Sequence, residues 1–306
     1  VVARQRSGTA SLLGPREINE DSLELQDLSL QGDGVRALLA VADGMGGLQG
    51  GDVASRTAID AVRRAALEGG TPDHLALAVE VADREIRAIA AQTGDERSMG
   101  TTLTAALVVG NEATVVHVGD TRAYLLHEGR ISQITEDHSR VGRLLAQGVI
   151  SEIEAMHHPE QNVLERALGA GDASGDVYRV GLGSGDLLFL CSDGLHTFVT
   201  ADEIAQELQT NPSLQAACER LARLAEERGS QDNITSLAWQ YPSDEGGPEP
   251  GVPGATLVHR RRTGPPRFPG GRPDAQSTTG LAVVAGIVVA SYVAGFGLGY
   301  LLAQVV

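Results

Sequence analysis

Lysine is absent from this chain, and its basic charge is carried by arginine. That is a mark of coding bias rather than of mechanism. Aromatic residues make up only 3% of the 306 positions, so a core must be built from Ala, Val, Leu and Ile. The hydrophobic content of 42% is enough for one. Cysteine occurs twice, at Cys191 and Cys218, which excludes a disulfide framework in a chain of this length. Cys191 lies in an apolar run and Cys218 in a helical pattern, so both are expected to be buried thiols. No Cys/His ligand pair of zinc type is present. Positive charge is scarce, with 24 basic residues against 40 acidic ones and a formal net charge of -16 at pH 7. A nucleic-acid binder normally shows a basic stripe, and none is seen. The opening residues, Val1 to Thr9, are polar and carry arginine, unlike a secretory signal peptide.

Three parts are visible. Residues 1–241 alternate apolar runs, turns and helical patterns. Residues 242–279 change to Pro, Gly and charge, as in PSDEGGPEPGVPG and GPPRFPGGRP, and are expected to form a linker. Residues 280–306 contain GLAVVAGIVVASYVAGFGLGYLLA, an uncharged run from Gly280 to Ala303. A helix needs about 20 apolar residues to cross a bilayer, so this run is expected to be a transmembrane helix. Arg260, Arg261, Arg262, Arg267 and Arg272 precede it and no charged residue follows, which orients the large domain to the cytoplasm. Ser291, Gly295 and Gly299 recur every fourth residue, a spacing that lets two such helices approach closely as a homodimer.

Within the first part, β-branched or continuous apolar runs predict strands over 37–42, 102–109, 113–118, 122–127, 186–192 and 233–239. Helical periodicity covers 52–67, 74–91, 140–147, 201–209 and 213–228. Strands fall in neighbouring pairs with short turns, and helices fall in pairs as well. The expected class is α+β, with antiparallel sheets and helices outside them rather than a doubly wound parallel sheet.

Four aspartates stand at strand ends. Asp43 follows ALLAVA and precedes Gly44. Asp193 follows DLLFLCS and precedes Gly194. Asp120 follows ATVVHVG, and Asp232 opens NITSLAW. One Asp-Gly after a strand is ordinarily a turn. Two alike, with further acids at other strand ends, point to carboxylates converging on one crevice. Clustered carboxylates repel unless a cation sits between them, and oxygen ligands favour magnesium or manganese. The acidic balance is therefore compatible with a phosphate site, because metal ions supply positive charge. Near the start, Arg16-Glu17-Ile18-Asn19-Glu20-Asp21 adds carboxylates and one arginine, which beside metal ions is suited to grip a phosphate. Taken alone, that segment reads first as a solvated charged loop. The glycines of GMGGLQGG miss the dinucleotide fingerprint at its last position, Gln49.

Arranged in order, RxxNED at 16–21, VADGMGG at 41–47, GTT at 100–102, GDTRAYLLHEG at 119–129, TEDHS at 135–139, RALG at 166–169, SDGL at 192–195 and DNIT at 232–235 resemble the metal-dependent protein phosphatase (type 2C) family, over nearly all of residues 10–240. The resemblance implies a central antiparallel β-sandwich flanked by helix pairs, α-β-β-α in four layers. It also implies a phosphoprotein phosphatase, hydrolysing phosphoserine and phosphothreonine through a metal-activated water at a binuclear site. Asp43 would bridge two Mn or Mg ions, with the Gly44 carbonyl on the second. Asp193 and Asp232 would complete the first, and Asp21 or Glu20 would serve the second. Asp120, with Asp193, would hold a third, weaker ion. Arg16 would bind the substrate phosphate, and residues 140–165 match the flap that influences substrate choice. Phosphorylated proteins, among them a membrane kinase and its substrates, are the partners it implies.

One position departs from the animal members, which carry His where this chain has Met45, as many bacterial members do. Methionine has no proton to give the leaving group. A cysteine-phosphatase loop is excluded, because the positions six after Cys191 and Cys218 are Thr197 and Leu224 rather than arginine. Other readings are a catalytically weak relative acting as a binding module, or a phosphatase of a sigma-factor regulator. No metal carboxylate of the family pattern is missing here, which disfavours the first.

Overall fold

The computed structural model describes residues 6–29, 36–46, 50–93, 99–151, 154–155, 158–161, 163–170, 175–243 and 260–261. Its elements are β1 (Ser7–Leu12), β2 (Asp21–Asp27), β3 (Arg36–Met45), α1 (Gly51–Leu67), α2 (Pro72–Thr93), β4 (Gly100–Thr101), β5 (Leu103–Val109), β6 (Glu112–Val118), β7 (Arg122–His127) and β8 (Arg130–Gln133), then α3 (Arg140–Ala146), β9 (Asp176–Gly181), β10 (Leu187–Cys191), α4 (Asp193–His196), α5 (Ala201–Thr210), α6 (Leu214–Glu227), β11 (Ile234–Gln240) and β12 (Arg260–Arg261). One sheet runs β1-β11-β10-β7-β8. The other runs β12-β9-β6-β5-β3-β2, with β4 paired to β3. Every pairing is antiparallel.

Three apolar clusters separate four layers, and the two-residue period of a strand explains how one run serves two of them. On β3, Leu38, Ala40 and Ala42 pack with Ala58 and Val62 of α1 and Ile86 of α2. The alternate residues Ala37, Leu39 and Val41 face the other sheet, against Leu188, Leu190 and Leu237. On β10, Leu187, Phe189 and Cys191 turn outward to Ile204 and Leu208 of α5 and Leu221 of α6. Strands buried on both faces read as unbroken apolar runs, which is why these were legible.

Several unforeseen strands are poorly covered, while β9, also unforeseen, alternates buried Asp176, Tyr178 and Val180 with less buried residues. β1 and β2 carry small or charged residues and are mostly half-buried, and β8 is largely exposed. β3 also runs further than the expected strand end, through Gly44 and Met45, because β4 pairs with it there. The run 280–306, with its expected span and its Ser291, Gly295 and Gly299 face, lies outside the described residues. No helix among the described residues is long and apolar enough to cross a membrane. Of residues 242–279, Arg260 and Arg261 lie beside Val177 and Asp176 of β9.

Candidate metal centre

The aspartates singled out by the sequence are delivered by both sheets. Asp21 opens β2 directly across from Asp43 on β3. Asp193 opens α4, immediately after β10, and Asp120 lies in the β6–β7 connection. Asp232 precedes β11. The Ser192 hydroxyl donates to Asp21 Oδ2 at 2.8 Å and accepts from the Thr235 amide at 3.0 Å. It thereby ties the end of one sheet to the start of a strand in the other.

These carboxyls sense one another strongly. Burial pushes Asp21 up to about 7, and the charges of Asp193 and Asp232 add to the rise. Burial likewise raises Asp43 well above the ordinary range, with Asp21, Asp193, Asp120 and Asp232 all contributing. Asp120 is raised by burial and by Asp193 and Asp137. Asp193 rises to about 6, by burial and Asp232, while a hydrogen bond shared with Asp43 and one from the Gly194 amide oppose the rise. A hydrogen bond between two carboxyls needs a proton on one of them, which fits the upward shift of both. Glu20 is raised by burial, with the Gly51 amide and Arg16 opposing.

Asp21 Oδ1 and Asp193 Oδ1 are buried and accept no hydrogen bond. A buried acceptor left unmet costs about 1–3 kcal/mol, so two such oxygens in one carboxylate cluster ask for a cation. An all-oxygen donor set suits magnesium or manganese. The residues therefore fit the metals that the sequence implies. Among the described residues no three side chains already stand as a finished ligand shell. The Arg16 guanidinium donates to Asp232 Oδ2 at 2.8 Å and to the Gln231 carbonyl at 2.9 Å. Arg16 and Asp232 are both solvent-accessible, so their pairing is worth little and is readily exchanged.

Backbone geometry explains Gly44. A Cβ there would stand 2.1 Å from the Gly51 carbonyl oxygen, and the Gly44 amide donates to the Glu20 carbonyl at 3.1 Å. Glu20 is half-buried, and its own amide donates to Asn233 Oδ1 at 2.8 Å.

Several supporting residues carried no role in the sequence reading. Thr102 Oγ1 accepts from the Asp43 amide at 2.9 Å, and Thr101 Oγ1 donates to the Asp43 carbonyl at 2.9 Å. Asn233 Nδ2 donates to the carbonyls of Leu13 and Ile18, on either side of Arg16, at 2.9 and 3.1 Å. Arg122 binds both oxygens of Asp137, behind Asp120. The hydroxyls and amide that follow Gly100, precede Asp193 and follow Asp232 in the sequence were the available signal. Both cysteines are buried. Burial pushes Cys218 up to about 12 and Cys191 higher still, so neither is a thiolate nucleophile. His196 is buried, its Nε2 against the Asp120 carbonyl at 3.0 Å, and burial with nearby Arg122 lowers it to about 3.

Residues 14–237 match the family model described as Protein phosphatase 2C. The chain is 38% identical over 208 residues to the serine/threonine phosphatase stp of Listeria monocytogenes, a match spanning 65% of this chain and 82% of that protein. To the serine/threonine protein phosphatase PstP of Mycobacterium tuberculosis it is 40% identical over 203 residues, spanning 65% of this chain and 39% of that one. The crystal structure of the M. tuberculosis phosphatase PstP/Ppp superposes with a TM-score of 0.69 at 36% identity, covering 78% of this chain and 98% of that chain. The catalytic domain of PstP in complex with 2 manganese ions gives 0.68 at 36% identity, with the same coverage of 78% and 98%.

Proposed function

The chain belongs to the protein phosphatase 2C family, and from that premise we propose that it is a serine/threonine protein phosphatase acting on phosphoserine and phosphothreonine at a binuclear manganese or magnesium centre. The observation that carries this reading is the cluster of buried, mutually repelling aspartates with unmet oxygens on Asp21 and Asp193. Asp43 would bridge the two ions, Asp193 and Asp232 would complete one, and the Gly44 carbonyl with Asp21, or Glu20, would complete the other. Asp120 and Asp193 would hold a third. Such ions, when bound, activate water for attack on phosphorus and offset phosphoryl charge.

The chain's own residues supply position and charge. Arg16 pairs with Asp232, and its fork of donors is suited to two phosphoryl oxygens in exchange for that carboxylate. Thr101 and Thr102 fix the Asp43 backbone, and Ser192 orients Asp21. Manganese-dependent phosphate release from phosphothreonine peptides tests the reading, with Asp43→Asn and Asp193→Asn as variants. Each is expected to lose activity on the order of 10²–10³-fold while remaining folded by circular dichroism. Metal-independent release, or full activity in both variants, would end it.

The apolar run 280–303 supports a single membrane span, and the preceding arginines support a cytoplasmic catalytic domain. Tethering would concentrate the enzyme near a membrane-bound kinase and its substrates. Ser291, Gly295 and Gly299 would let two spans pair. Recovery of the full chain wholly in the soluble fraction removes the span, and a monomeric tail in detergent crosslinking removes the pairing.

A further inference from the structure

A cavity of about 540 Å³ opens beside the metal centre, with Asp120 and Asp193 in its lining. Its walls come from β7, β8, α3 and the start of α5, so it lies between the expected flap and the second helix pair. Ile131, Val141, Leu145 and Val199 give it apolar sides.

The polar groups of the lining are unevenly committed. Two of its donors are engaged. Arg122 gives Nε and Nη2 to Asp137 at 3.0 and 2.7 Å, and Nη1 to the Tyr124 hydroxyl at 3.2 Å. Gln133 Nε2 donates to the Thr135 carbonyl at 2.7 Å and to Asp137 Oδ1 at 3.1 Å. Two acceptors are not. Gln161 Oε1 is buried and accepts no hydrogen bond. Asp202 is exposed in the first turn of α5. Its neighbour Glu203 is taken by Arg228 at 2.6 Å, whereas no arginine pairs with Asp202 among the described residues.

We propose that this cavity is a substrate subsite for an arginine or lysine side chain that flanks the phosphorylated residue. A long aliphatic stem fits the apolar sides while its cationic head meets Gln161 Oε1 and Asp202, the arrangement such side chains adopt when they cover apolar surface. An acidic neighbour would face the Asp202 carboxylate there and is disfavoured. The net charge of -16 favours basic substrates at long range as well. Continuity with Asp120 and Asp193 makes the occupant part of the same polypeptide whose phosphate is being removed.

This inference rests on the phosphatase reading, and one experiment separates the two. Phosphothreonine peptides that differ only in flanking Arg, Ala or Glu are compared by kcat/KM on the full chain with manganese. The Arg peptide is expected to exceed the Glu peptide about tenfold, and Asp202→Arg to abolish or reverse that ratio. Gln161→Met, which removes the acceptor at similar volume, is expected to shrink the ratio about threefold. The ratio is taken within each enzyme, so a general loss of activity cancels. Equal kcat/KM for all three peptides overturns the subsite and leaves the phosphatase reading standing. So does a preference that both variants leave untouched, since the basic residue is then held elsewhere. No phosphate release from any peptide overturns the phosphatase reading, and the subsite with it.

Discussion

Two short stretches, Ala42-Asp43-Gly44 and Ser192-Asp193-Gly194, look interchangeable, yet the chain treats them oppositely. The first stays extended: β3 continues to Met45, held by pairing of Gly44 with Thr101 and Met45 with Gly100. The second turns at once into α4, where the Thr197 amide donates to the Asp193 carbonyl at 3.1 Å. In both places glycine is required by a crossing carbonyl. A Cβ at Gly44 would stand 2.1 Å from Gly51 O, and one at Gly194 would stand 2.0 Å from Asn233 O. The carboxyls differ accordingly. Asp193 takes a hydrogen bond from the Gly194 amide and feels Arg16, so it rises only to about 6. Asp43 is raised well above the ordinary range by burial and four other aspartates. Like local sequence thus sets like demands on the backbone, while the neighbours decide both conformation and charge.

The largest effect that tests this comparison is steric. Gly44→Ala and Gly194→Ala should each cost about 3 kcal/mol or more, because the atom met is backbone rather than a movable side chain. Urea unfolding measures this. If either variant unfolds like the wild type, the crossing carbonyl is not what requires glycine at that position.

Titration sharpens the electrostatic half. Asp21 and Asp193 are raised from 3.8 to about 7 and about 6. Between these limits the metal-free folded protein binds more protons than the unfolded chain, so its stability falls as pH rises from about 4 to about 7. Thermal melting after chelation should show that fall, and added manganese should flatten it, since a cation favours the charged forms. Asp43→Asn and Asp193→Asn should each relieve part of it, and a fall unchanged in both variants would contradict the mutual repulsion of these carboxyls.

The smallest effect belongs to the side chain that braces the second end. Asn233→Ala removes the hydrogen bonds to Glu20, Leu13 and Ile18, and should cost about 1–3 kcal/mol. KM for a phosphopeptide should rise with it, because the Arg16 segment is released. An unchanged KM would mean that Arg16 is held by Asp232 and the Gln231 carbonyl alone.

Much of the architecture was readable because the central strands are buried on both faces. β3, β5, β6 and β10 appear as apolar runs, and α1, α5 and α6 keep one apolar face each. β1 was not readable, because Ser7–Leu12 becomes a strand by pairing with β11, more than 200 residues away, rather than by local propensity. β2 begins at Asp21 and carries Glu24 and Asp27, so its charges hide the alternation. At the site, the acids were legible as residue types at strand ends. The roles of Thr101, Thr102, Ser192 and Asn233 were not, since each acts by a hydrogen bond to a distant backbone or side-chain atom.

The order of the motifs, the wealth of carboxylates and the lack of a cysteine-phosphatase loop were determined by the sequence by itself. They are properties of composition and spacing, and they specify what chemistry is available. Only the tertiary structure decided which oxygens are left unmet, which Asp-Gly is strand and which is helix, and that a cavity bearing the unmet Gln161 oxygen adjoins Asp120 and Asp193. Those depend on atoms far apart in the chain brought within hydrogen-bond or Coulomb range, and no local pattern encodes that distance.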